Sequence, residues 1–85
     1  METIAAISTP PGQGAVALLR VSGPEAWEVA GRVFRRKRGG GELRARVAYF
    51  GEVWDGEVKL DEVLLTGFRG PASFTGEDVV EIERI

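Results

Sequence analysis

A chain of 85 residues can build one domain around one core, and at that size folding buries only about two-thirds of the surface the unfolded chain exposes. Its 44% hydrophobic and 28% charged residues fit a soluble globular protein rather than a disordered one, and a formal net charge of −2 gives no general attraction to phosphate backbones or anionic lipid. The absence of cysteine and histidine excludes disulfide frameworks, thiolate zinc sites, thiol nucleophiles, histidine-based triads and HExxH metal sites, and the lack of an apolar run of ~18 residues or a signal-type N-terminus predicts a cytoplasmic protein.

Thr3 to Ser8 is a short apolar run, read as a strand, that ends in the loop Thr9-Pro10-Pro11-Gly12-Gln13-Gly14, whose prolines and glycines cannot continue a central strand. Ala15 to Val21 reads as a second strand covered on both faces, with alternation placing Arg20 on the side of Val16 and Leu18, where its charge needs a partner. Ser22-Gly23-Pro24-Glu25 has the spacing of a capping box. A helix is predicted to follow, with Ala26, Val29, Ala30, Val33 and Phe34 forming its apolar stripe and Trp27 at the margin. The basic run Arg35-Arg36-Lys37-Arg38 suits the negative end of a helix dipole, and Gly39-Gly40-Gly41 closes the element. Arg46 to Trp54 and Val58 to Phe68 are β-rich runs joined by Asp55-Gly56, a pair suited to a tight hairpin turn. Gly70 to Gly76 is a loop by its glycine and proline content, and Asp78 to Ile85 alternates as a last strand. The order β-β-α-β-β-β predicts an α+β fold, a mostly antiparallel sheet with one main helix.

Chemistry is harder to read than fold. The Pro10 to Gly14 loop can bring backbone N–H groups to a ligand, or it can be a plain turn; it lacks the GxxxxGK[ST] spacing of a Walker A loop. Arg20 offers five fixed donors to a carboxylate or a carbonyl-rich ring edge, or it pairs with a neighbouring Asp or Glu. Glu77, Asp78, Glu81 and Glu83 form an acidic C-terminal strand, either solvated or used for recognition, with Glu81 sharing a face with Val79. The run Arg35 to Arg38 is either a solvated helix end or a contact for RNA phosphates. The seven aromatic residues are not clustered with basic ones on one predicted strand, which favours core or interface roles over base stacking.

Four stretches taken together, TIAAISTPPGQG (3–14), LRVSGP (19–24), DEVLL (61–65) and SFTGEDVVEI (73–82), make the chain similar to the N-terminal domain of the MnmE (TrmE) family of tRNA modification GTPases. The resemblance covers nearly the whole chain and implies a bacterial or organellar protein whose fold resembles the folate-binding fold of aminomethyltransferases. It implies a module that binds a tetrahydrofolate derivative, in its 5-formyl or methylene form, and forms a homodimer. In the family, a separate downstream domain hydrolyses GTP, and the whole enzyme, with a flavoprotein partner, alters the wobble uridine of certain tRNAs. No membrane or DNA partner is implied. The family's folate-contacting arginine and second glutamate fall on Arg20 and Glu81. A carboxylate there suits the two-donor edge that a pterin presents with its ring N–H and exocyclic amine. Family members continue after the last motif with a histidine- and glycine-rich turn, whereas this sequence reads Glu83-Arg84-Ile85. Residues 1–85 are therefore expected to be a single, incomplete folate-binding and dimerisation domain, non-catalytic alone, with the helical and GTPase domains absent. A non-catalytic structural dimerisation module with a broken folate site is the alternative.

Overall fold

A computed structural model describes residues 3–7, 18–70 and 76–85. The Thr9 to Gly14 loop, the first half of the expected second strand and the Pro71 to Thr75 segment lie outside these residues. The described chain runs β1 (Ile4–Ile7), β2 (Leu18–Ser22), α1 (Ala26–Val33), β3 (Phe34–Arg36), β4 (Ala48–Asp55), β5 (Val58–Phe68) and β6 (Val79–Arg84). The strands form one sheet in the order β1-β2-β6-β5-β4-β3, with every neighbouring pair antiparallel. The α+β class is as expected, one helix against an antiparallel sheet, with one strand more than the sequence reading gave.

That extra strand is β3. Apolar spacing continues through Phe34, yet Phe34 turns to φ −98°, ψ 133° and pairs with Val53. Its ring packs against Gly51, so Phe34 and two residues of the basic run belong to the sheet edge rather than to the helix. The sheet offers Phe34 both backbone partners and burial to 8% exposure, which a further helical turn into solvent would not. The helix N-terminus also differs from the capping box: Ser22 ends β2, no side chain caps the helix from its N-cap residue Glu25, and the Glu25 N–H donates instead to Thr3 Oγ1 at 3.0 Å. The hairpin turn is shifted by one residue, with Asp55 paired to Val58 and Gly56-Glu57 as the two-residue loop. Gly56 takes φ +60°, which places the glycine at the first central position, where a tight β-hairpin needs it. Arg46, also at positive φ, donates its N–H to the Gly67 carbonyl, and β4 begins only at Ala48.

The helix covers one face of the sheet. Ala26 and Ala30, one turn apart, are fully buried, and their small side chains let α1 approach Val21, Val63, Leu65, Val80 and Ile82 from β2, β5 and β6. Trp27 lies over Gly67, where a Cβ would stand 2.5 Å from the indole ring. Its Nε1–H donates to the Phe68 carbonyl at 3.1 Å, and the Arg69 guanidinium stacks 3.8 Å from the ring centroid. On the solvent side of α1, Glu28 and Arg32 form an i,i+4 pair. The other face of the sheet carries no element of its own among the described residues.

Candidate functional site

Register decides what that uncovered face presents. Arg20 of β2 pairs with Glu81 of β6, and Glu81 pairs on its other side with Thr66 of β5, which in turn faces Ala48 of β4. Side chains opposite one another in an antiparallel pair point to the same face. Arg20, Glu81, Thr66 and Ala48 thus form one row across four strands. The adjoining rows hold Ser22, Val79 and Phe68 on one side, and Leu18, Glu83, Leu64 and Phe50 on the other.

Arg20 and Glu81, separated by 61 residues in sequence, are in direct contact: Arg20 Nε and Nη2 donate to Glu81 Oε2 at 3.1 and 2.5 Å. Both bonds end on the same carboxylate oxygen. With the arginine side chain 43% and the carboxylate 28% exposed, this is a solvent-screened pair of the kind that contributes only about 0–1 kcal/mol. The fold does not depend on it, and the row stays accessible from the open side. The partner that the charge on Arg20 was expected to need is therefore Glu81 itself.

A second polar cluster lies on the same face towards β3. Lys37 Nζ bonds Glu52 and Glu62 at 3.1 and 3.3 Å, and Lys59 Nζ bonds the same two carboxylates at 3.1 and 3.0 Å. A bulge makes this possible. Val53 pairs with Asp61 but Trp54 pairs with Lys59, so Leu60 is set aside and Lys59 is turned onto the face of Glu52 and Glu62. Hydrogen bonds from Lys59, then Lys37, then the Trp54 indole hold the Glu52 carboxyl down at about 2, and the same lysines lower Glu62. The two ammonium groups are raised in return, Lys37 chiefly by its bond to Glu52 and Lys59 chiefly by its bond to Glu62.

The basic run is divided between faces and engaged within the chain. Arg35 stacks on Trp54 at 4.1 Å and reaches the Gly56 carbonyl, Arg36 stacks on Tyr49 at 4.5 Å and reaches the Gly40 carbonyl, and Lys37 joins the four-charge cluster. Three of the four cations thus fasten the edge strand β3 to β4, and charge along an edge strand is a common guard against pairing with another chain. Of the C-terminal carboxylates, Asp78 accepts from Arg69 at 3.1 Å and from the Gly70 N–H at 2.9 Å, which ties the end of β5 to the start of β6. No group of metal-binding side chains occurs among the described residues, and no helix among them is long and apolar enough to cross a membrane. Thr66 was not singled out from sequence, because finding it beside Glu81 requires the β5–β6 register.

The family model described as GTP-binding protein TrmE N-terminus matches residues 3–84. The chain belongs to this family. Among curated proteins, the TrmE-type chain is 51% identical over 82 residues to the tRNA modification GTPase MnmE of Listeria welshimeri, an alignment that covers 95% of the chain and 18% of the relative. It is 48% identical over 86 residues to that of Parabacteroides distasonis, covering 96% of the chain and 19% of the relative. The MnmE of Chloroflexus aurantiacus is 53% identical over 83 residues, again with 95% of the chain and 18% of the relative aligned. The chain spans under a fifth of the length of these relatives. Arg20, Glu81 and Thr66 all lie inside the matched segment.

Proposed function

We propose that this chain is the tetrahydrofolate-binding and dimerising N-terminal module of a cytoplasmic tRNA wobble-uridine modification GTPase. The reading rests on membership of the TrmE N-terminal family and on relatives named tRNA modification GTPase MnmE. A single observation carries the folate part: Arg20 and Glu81, remote in sequence, stand opposite each other on the one sheet face that α1 leaves open. GTP hydrolysis, tRNA and a flavoprotein partner belong to the longer protein, whereas the likeness to the folate-binding fold of aminomethyltransferases is proposed for this module itself.

The side chains fit a pterin ring by their donor and acceptor chemistry. Both Arg20 bonds fall on Glu81 Oε2, which leaves lone pairs on the carboxylate to accept from a ring N–H and an exocyclic amine. Arg20 holds that carboxylate in place, and it keeps further N–H donors for a carbonyl or an acidic group. When bound, a tetrahydrofolate derivative supplies a one-carbon unit. The residues of this chain bind and orient it.

Calorimetric titration with 5-formyltetrahydrofolate tests the proposal. Saturable heat that Glu81→Ala abolishes is the expected result. No heat at millimolar ligand overturns the folate part and leaves the second reading, a structural dimerisation module, which the mutual pairing of Arg20 and Glu81 favours.

A further inference from the structure

The row containing Arg20 and Glu81 does not end at the carboxylate. Thr66 is the register partner of Glu81 on the side away from Arg20, and Ala48 follows it. Directly opposed side chains in an antiparallel pair have Cβ atoms about 5 Å apart, so the Thr66 side chain stands beside that of Glu81 on the strand away from Arg20. Thr66 is partly exposed, and the small side chain of Ala48 leaves the row shallow beyond it. We propose that Thr66 is a further ligand-positioning residue, the third polar contact for the ring that Glu81 holds. This rests on the folate reading above.

The argument is one of matching edges. A 4-oxopterin presents, side by side, an exocyclic amine, a ring N–H and a carbonyl oxygen, two donors followed by an acceptor. A carboxylate satisfies the two donors and leaves the carbonyl unmatched. A ring that lies along the row with its donors on Glu81 brings that carbonyl to one of the carboxylate's neighbours. Arg20 has two of its nitrogens turned to Glu81 Oε2, whereas the Thr66 hydroxyl makes no side-chain bond among the described residues. A hydroxyl can rotate to donate, and it holds the carbonyl at the cost of ordering a single short side chain.

The test uses two substitutions in the whole chain. Thr66→Val keeps the β-branched shape and strand propensity but removes the hydroxyl, and Thr66→Ser restores a hydroxyl without the methyl. The expected result is that 5-formyltetrahydrofolate binds about tenfold more weakly to Thr66→Val and close to normally to Thr66→Ser, with both variants melting at the temperature of the unsubstituted chain. A purely structural role would shift the melting temperature and would not be rescued by serine. Equal affinity of Thr66→Val and the unsubstituted chain, with Glu81→Ala still abolishing binding, overturns the role of Thr66 alone. No binding by the unsubstituted chain overturns the folate reading and this inference with it.

Discussion

At the scale of single residues, two glycines determine how closely the layers approach. A Cβ on Gly51 would run into the backbone carbonyl of Arg35 and come 2.5 Å from the Phe34 ring, and neither can move without lifting β3 from the sheet. At Gly67 the obstacle is the Trp27 indole, a side chain, but one held by its bond to the Phe68 carbonyl and by the Arg69 stack. Overpacking of this kind costs about 1–3 kcal/mol. Gly51→Ala is expected to destabilise towards the upper end of that range and Gly67→Ala towards the lower, because a side chain yields more readily than backbone. Urea unfolding of the two variants checks both the sign and the order. Glu81 belongs to this scale as well. Its screened pair with Arg20 contributes little to folding, so Glu81→Ala should remove ligand heat while leaving the urea midpoint nearly unchanged.

At the scale of elements, the β4–β5 hairpin and β3 are joined by the cluster of Lys37, Glu52, Lys59 and Glu62. The Glu52 carboxyl, ordinarily at 4.5, sits at about 2 in the folded chain because Lys59 and Lys37 bond to its ionised form. A carboxylate whose folded value lies below its unfolded one adds stability that is complete above 4.5 and is lost as the pH falls towards 2. The lysines act at the other extreme: their raised values mean a contribution that is complete below 10.5 and is lost as the pH rises through the folded values. Glu52→Gln should therefore lower the urea midpoint at pH 7, and the gap to the unsubstituted chain should narrow steadily between pH 4.5 and pH 2. A gap unchanged across that window would show that the cluster does not couple folding to pH. High salt should also shrink the gap, since the groups lie at the surface.

For the molecule as a whole, the determining feature is a sheet that, among the described residues, is covered by α1 on one side only. Principal extents of 33 × 31 × 22 Å leave an open face broad enough for the ~800 Å² per partner that stable protein pairs bury. Phe50, 41% exposed, sits on it beside Leu64 and the Arg20 row. Light scattering is expected to give twice the chain mass, independent of concentration. A mass equal to one chain at all concentrations would remove dimerisation from the proposed function. The Lys37 cluster and the basic edge of β3 make the opposite demand, since charge there resists pairing along that side.

Much of this was legible in the sequence because it depends on local chemistry. Apolar spacing located α1, β-rich composition located β5, alternation located β6, Asp55-Gly56 located the hairpin to within a residue, and the motifs around Arg20 and Glu81 identified the family. The end of the helix was misjudged because Val33 and Phe34 satisfy the helical period equally well, and only Val53 and Gly51, some twenty residues on, offer Phe34 a better place. The capping box failed for a similar reason, since Thr3, just before β1, takes the Glu25 N–H. Composition and local pattern determined that this chain would be one helix against an antiparallel sheet with a charged residue on each of two strands. That those two charges meet, with Thr66 next to them on an open face, was decided by strand order and register, which depend on contacts between residues far apart in the chain.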